Sequence, residues 1–343
     1  MHNSISDIDA ATVDRALAII GNFKKDWTGR QVDNDGLLHI ANETGQNTPL
    51  LWCFNDTYPF ERLAKALGKD QPLIGLRSAH LTRRTQFRSS HLDFAIADRY
   101  SQLVTQHFPN TPMFVGGNCQ GANIASRIRE NFGIQGTPVP GGFHMESCDL
   151  HPFAGPQVML FGEDSYEYNP YLRGENPFDV WRSIFREPSV KFLPGGHGDY
   201  FSDDNIRVLT DVVLQTVQGH TLQEKVSDSQ TLVAEFAERE SAKQSAGKLA
   251  FNCEVRTAHA PNATAPDRLA LYAFWHCLER LDAQSELVKL APSQRATPFE
   301  LILKAPAPGK WSLTLYPVIE GYGPTSVAEA RQRALVIHIA QGS

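Results

Sequence analysis

The sequence predicts an α/β unit, a mostly parallel sheet with helices on both faces, followed by a small all-β sandwich. Three observations predict it. Strand-sized apolar runs alternate with amphipathic stretches over residues 36–220. A highly charged stretch, Thr221–Lys248, then interrupts the pattern. Beyond it, strand-like runs follow one another with proline-glycine turns and no helices between them.

In chain order, residues 1–35 carry a helical segment, with Ile8, Val13, Leu17, Ile19 and Ile20 spaced for one buried stripe and a polar exit near Gly29. The apolar runs of the α/β unit are Leu37–Ala41, Leu50–Phe54, Leu73–Leu76, Met113–Gly117, Gly142–Met145, Val158–Gly162 and Val190–Leu193. Helical patterns fill Phe60–Leu67, Phe94–Gln106, Ala122–Asn131 and Asn205–Gln218. Residues 221–248 read as an exposed charged helix and linker, and residues 249–343 as the sandwich. Its strands include Leu269–Trp275, Glu300–Leu303, Trp311–Tyr316 and Ala334–Ile339.

Composition bounds the function. The 343 residues include 32 Lys and Arg against 38 Asp and Glu, a net charge of −6, which excludes a general nucleic-acid binder. No apolar run approaches the roughly 18–20 residues of a bilayer span, so no membrane role is expected. Met1–Asp7 carries no basic segment leading into an apolar one, and the five cysteines form no CxxC pair or metal spacing. The expectation is a cytoplasmic protein with free thiols, no metal and no bound redox cofactor.

The informative segment is Pro112-Met-Phe-Val-Gly-Gly-Asn-Cys-Gln-Gly-Ala122, in which Gly117–Gly121 reads G-x-C-x-G between a strand and a helix. A strand that reverses into a helix over so few residues strains the residue at the bend and needs small neighbours two before and two after it. The bend would lift the Cys119 sulfur above the sheet at a helix N-terminus, which favours a thiolate, with the Gln120 N–H as an oxyanion donor. The plain alternative is a tight turn around an inert cysteine. A thiol nucleophile needs a base, and His197 follows the run Val190–Leu193 on a glycine-rich loop before a helix, where this architecture presents one. His144 competes, but its neighbours read as strand interior.

Around these motifs the chain resembles the thioesterase domains of polyketide and nonribosomal peptide synthesis, within the α/β-hydrolase superfamily. The resemblance covers about residues 36–218: Pro49-Leu-Leu-Trp-Cys-Phe54, Phe60-Glu-Arg-Leu-Ala-Lys-Ala-Leu67, Pro72-Leu-Ile-Gly-Leu76, Ile96-Ala-Asp-Arg-Tyr100, the elbow, and Pro194-Gly-Gly-His-Gly198. It implies an α/β-hydrolase fold, an acyl thioester on a carrier protein or coenzyme A as substrate, and a nucleophile–acid–histidine triad. Asp164, 45 residues after Cys119, is the favoured acid on chain order, as in free-standing editing thioesterases and dienelactone hydrolases. Glu146, ending Gly142–Met145, is the rival, because synthase-embedded thioesterases carry an aspartate at the end of that strand.

Three features depart from the family. Cys119 stands where most members have serine. Asn55-Asp-Thr-Tyr-Pro59 replaces a glycine-rich stretch, so the second oxyanion donor is assigned to a backbone N–H at Asn55 or Asp56. The helical lid has no room. Attack by a cysteine on a thioester exchanges one thioester for another and keeps the acyl group activated, so transfer to an amine or hydroxyl is favoured over hydrolysis. The alternatives are a dienelactone-hydrolase-like cysteine hydrolase of small esters or lactones, and a non-catalytic scaffold. Arg77, Arg83, Arg84 and Arg88 read first as a solvated loop and second as a dock for an acidic carrier protein. Tyr166, Tyr168, Tyr171, Phe178 and Trp181 either wall an acyl pocket or pack beneath a long loop, and Cys253 and Cys277 read as packed thiols. The sandwich, immunoglobulin-like in pattern, would shape substrate access, bind a partner or form a homodimer.

Overall fold

Helix α1 (Ala10–Phe23) begins after Asp9, whose side chain caps the Ala11 N–H. It buries Ala16, Leu17 and Ile20, but Ile19, expected in the same stripe, faces solvent because it lies about 100° around the helix from Ile20. The computed structural model describes residues 8–56, 58–80, 90–147, 151–219, 232–236, 243–245, 247–257, 268–279, 282–295, 297–319, 323–324, 330–331 and 333–339.

Eight strands follow in one sheet: β1 (Arg30–Gln31), β2 (His39–Ala41), β3 (Leu50–Phe54), β4 (Leu73–Arg77), β5 (Phe114–Asn118), β6 (Gly142–Met145), β7 (Gln157–Gly162) and β8 (Pro188–Leu193). Their spatial order is β1-β2-β4-β3-β5-β6-β7-β8. From β4 to β8 every pair is parallel, and only β1 and β2 join antiparallel. The helices between them are α2 (Tyr58–Leu67), α3 (Ser90–His107), α4 (Gln120–Gln135) and α5 (Phe178–Ile184), and α6 (Ile206–Gly219) follows β8.

Side-chain alternation divides the sheet into two faces. Leu51, Cys53, Ile74, Leu76 and Val115 pack with α1, α3 and α4. Their neighbours Leu50, Trp52, Phe54, Leu73 and Phe114 pack with α2 and α6. Both faces are covered, which is why β3 and β4 read as unbroken apolar runs. Among the described helices none is long and apolar enough to cross a membrane.

The C-terminal part forms two antiparallel sheets. One holds β9 (Leu232–Phe236), β10 (Lys243–Ser245), β11 (Lys248–Thr257) and β14 (Phe299–Lys304). The other holds β12 (Leu269–Cys277), β13 (Ala283–Lys289), β15 (Gly309–Ile319), β16 (Gly323–Pro324) and β17 (Leu335–Ile339). The expectation of a charged helix and linker over residues 221–248 is corrected where the chain is described: residues 232–236 and 243–245 are strands. Leu232 and Ala234 alternate inward there, a period of two that the many charges obscure.

Strand β12 is buried along its whole length because its faces meet different partners. Leu269, Leu271, Ala273, Trp275 and Cys277 enter the core shared by the two C-terminal sheets. Ala270, Tyr272 and Phe274 pack on Met159, Phe161, Trp181, Ile184 and Phe185 of the α/β part. Helix α4 is therefore enclosed on several sides. Its Glu130 accepts the Tyr316 hydroxyl at 2.7 Å, and its Asn131 accepts from Arg331 at 2.7 Å.

Candidate active site

Parallel strands all end at the same edge of a sheet, so residues just past β5, β6, β7 and β8 converge there. Those residues are Cys119, Glu146, Asp164 and His197.

Cys119 joins β5 to α4 with φ 51° and ψ −121°, a conformation that costs a non-glycine residue on the order of 1–3 kcal/mol. The flanking glycines permit it. A Cβ on Gly117 would lie 2.4 Å from the Gly121 carbonyl oxygen, and one on Gly121 would lie 2.1 Å from the Cys53 carbonyl oxygen. The Cys119 N–H donates to the Met145 carbonyl at 2.8 Å, fastening the bend to β6. The sulfur is only half-buried, in contrast to Cys53, Cys253 and Cys277.

His197 sits on the loop after β8 between Gly195 (φ 88°) and Gly198 (φ 92°). Its Nδ1 lies 2.5 Å from Glu146 Oε2. A carboxylate only accepts, so Nδ1 carries the proton there and Nε2 is left for the Cys119 thiol, with which the imidazole is hydrogen-bonded. The ring also stacks on Tyr168, centroids 4.1 Å apart and planes 22° from parallel. Glu146 is fully buried, and its other oxygen accepts the Gly162 N–H at 2.7 Å. Its φ of 46° is a second strained position at the same sheet edge.

The preference for Asp164 as the acid is corrected. Asp164 is exposed, and its backbone N–H donates to the Gly195 carbonyl at 3.1 Å, whereas Glu146 holds the imidazole. Chain order favoured Asp164, but β6 lies beside β5, and the longer glutamate side chain spans the gap to His197. His144 is sealed at 0% exposure with Nδ1 at 3.3 Å from Ser126 Oγ, on strand as expected.

The charges reinforce one another. Burial pushes the Cys119 thiol up, but the His197 hydrogen bond and charge, the Gln120 backbone N–H and the Asn55 side chain outweigh it and hold the thiol below its usual range. His197 is raised to about 10 by its hydrogen bonds to Cys119 and then Glu146, against the opposing effect of burial. The arrangement favours a thiolate beside an imidazolium.

Asn55 also meets the site through its side chain, which is hydrogen-bonded to the sulfur. Its Oδ1 accepts from the Gly121 N–H at 2.9 Å and from the Ser78 hydroxyl at 2.8 Å. Ser78, just past β4, carries no motif of its own and is legible only through this contact. Thr57, Arg83, Arg84 and Arg88 lie outside the described residues. Arg77 is no surface charge: it is fully buried, its guanidinium 4.3 Å from the Phe23 ring centroid. Of the aromatics considered as pocket wall, Tyr168 touches the imidazole, while Trp181 is core. Among the described residues no group of His, Cys, Asp and Glu is placed to hold a metal ion.

No protein-family model and no curated protein matches the chain. Among solved structures, the chain is similar to the NocB thioesterase domain from the nocardicin cluster, at 16% identity and a TM-score of 0.44, over 53% of this chain and 99% of that one. It is also similar to SrfTE, a thioesterase domain that cyclises the lipopeptide antibiotic surfactin (11% identity, TM-score 0.42, 54% of this chain and 97% of that one). A third is YbtT, a type II thioesterase from the yersiniabactin NRPS/PKS pathway, at 12% identity and a TM-score of 0.40, over 56% of this chain and 96% of that one. Each is a likeness of about half the chain.

Proposed function

We propose that the protein is a cysteine-dependent, thioesterase-like acyltransferase or hydrolase of the α/β-hydrolase type, acting in natural product biosynthesis on an acyl thioester held by a carrier protein or coenzyme A. The observation that supports this reading is the hydrogen-bonded line Cys119–His197–Glu146 over a strained strand-to-helix bend. The thiolate attacks the thioester carbonyl carbon, and the carbonyl π pair moves onto oxygen. That oxyanion faces the Gln120 N–H at the α4 N-terminus. As it collapses, the bond from carbon to the departing sulfur breaks, and the His197 imidazolium gives its proton to the leaving thiolate. Neutral His197 then takes a proton from the acceptor as its nitrogen or oxygen bonds to the acyl carbon, and collapse of the second oxyanion breaks the C–S bond and returns Cys119 as a thiolate beside the imidazolium. Glu146 accepts from Nδ1–H throughout, which fixes the tautomer when the ring is neutral and stabilises the imidazolium when it is not.

The Cys119 acyl-enzyme is itself a thioester, so it stays reactive towards amines, and transfer to an amine or hydroxyl is favoured over water. Offering the acyl-enzyme an amine and comparing amide with free acid tests this part of the reading: exclusive release of acid contradicts it. We read the C-terminal sheets as an immunoglobulin-like sandwich whose first described strand is β9.

A further inference from the structure

We propose that the carboxamide of Asn55 is the second oxyanion donor, taking the place of the backbone N–H that the glycine-rich stretch of related folds would offer; this rests on the reading of Cys119 as the acyl acceptor. The orientation of the amide follows from its partners. The Gly121 N–H can only donate, at 2.9 Å, so the atom facing it is Oδ1. The Ser78 hydroxyl donates to the same oxygen at 2.8 Å. With Oδ1 held twice, the NH2 group is the end turned to the Cys119 sulfur, with which the side chain is hydrogen-bonded.

The two fastenings belong to rigid parts of the site. Gly121 lies in the first turn of α4, immediately after Gln120, and Ser78 follows β4 and donates its own N–H to the Phe54 carbonyl at 2.8 Å. Asn55 itself continues β3, the strand that flanks β5. The Nδ2–H and the Gln120 N–H therefore both address the sulfur, from β3 and from α4. When the sulfur bonds to the carbonyl carbon, negative charge appears on an oxygen one bond farther out, within the reach of donors aimed at that sulfur. A donor fixed in advance needs no reorganisation when that charge develops.

A purely structural Asn55, tying the elbow to β4, would use the same contacts, so the test separates donor from clamp. Asn55→Asp keeps an oxygen for Gly121 and Ser78 but removes the NH2 group; Asn55→Ala removes both. Acylation by 4-nitrothiophenyl acetate passes through an oxyanion, whereas alkylation by iodoacetamide displaces iodide at a saturated carbon and forms none. Each rate is measured at the plateau of that variant's own alkylation pH profile, with the melting temperature recorded. The expected result is a ~10²–10³-fold loss of acylation in both variants. Alkylation should stay within about 3-fold in Asn55→Asp, whose melting temperature stays near that of the wild type. Acylation retained in Asn55→Asp, or acylation and alkylation falling together in it, overturns the assignment. A wild-type protein that alkylates at Cys119 yet never takes up the acyl group overturns the reading of the site, and the assignment with it.

Discussion

Replacing Glu146 with glutamine would change one atom at the centre of the site. Glu146 uses Oε1 for the Gly162 N–H at 2.7 Å and Oε2 for His197 Nδ1 at 2.5 Å. In Glu146→Gln the Gly162 N–H still requires an acceptor, so the amide oxygen stays there and the new NH2 group faces Nδ1. Nδ1 must then accept, and the ring proton moves to Nε2, the nitrogen that should receive the thiol proton. The same substitution removes a buried carboxylate that raises His197. Forcing the wrong tautomer in a serine triad costs about 10⁴ in turnover. A thiol ionises more readily than a hydroxyl, so a loss between ~10² and ~10⁴ is expected here. Asp164→Asn is the control: its carboxylate is exposed and does not reach the imidazole, so its effect should stay within roughly 2-fold, the ~0.5 kcal/mol of a surface change. Stopped-flow acylation with a chromogenic thioester measures both. A larger loss in Asp164→Asn than in Glu146→Gln would refute the assignment of the acid.

Iodoacetamide should label Cys119 at pH values below the usual thiol range, while Cys253, pushed up to about 12 by burial, and Cys53, pushed higher still, stay unlabelled in the folded protein; peptide mapping reads this directly. Gly121→Ala places a methyl 2.1 Å from the Cys53 carbonyl oxygen, so the melting temperature should fall, by about 1–3 kcal/mol in stability, and acylation with it. Tyr316→Phe strips a donor from the buried Glu130 carboxylate and should cost roughly 1.5–3 kcal/mol by urea unfolding. His144 and His276 are lowered to about 3 by burial, and burial also holds His151, beside Phe94 and Phe274, well below the usual imidazole range. The unfolded chain protonates His144 and His276 below about pH 6.5 while the folded chain does not until about pH 3, so stability falls as pH drops through that window. Each contributes at most ~1.4 kcal/mol per pH unit. Glu130, raised by burial, takes up a proton in the folded state and offsets part of the loss. Urea titrations at pH 7 and pH 5 check the sign; equal stability at both contradicts it.

The site was legible in the sequence where chemistry demands particular residues next to one another. Gly117, Cys119 and Gly121 are local, and the carbonyl oxygens that a Cβ would meet at Gly117 and Gly121 show why those two positions are glycine. His197 was legible because glycines flank it at the end of an apolar run. The acid was not, because Asp164 and Glu146 both follow strands, and only the order β5-β6-β7-β8 and the length of the side chain decide between them. The hydrogen bond between Ser78 and the Asn55 side chain joins residues past separate strands, which no local pattern carries. In the C-terminal part, the alternation in Leu269–Cys277 was hidden because both of its faces are buried, each against a different partner. The inward pair Leu232 and Ala234 was hidden by the charges beside it.

The central claim is that Cys119 accepts an acyl group. Intact-protein mass spectrometry after brief exposure to an acyl thioester, with mapping of the modified peptide, tests it most directly. The account predicts one acyl group per chain, carried by Cys119, absent in Cys119→Ala and released by added amine. Uptake on another residue, or no uptake by a protein whose Cys119 is free to be alkylated, would contradict it.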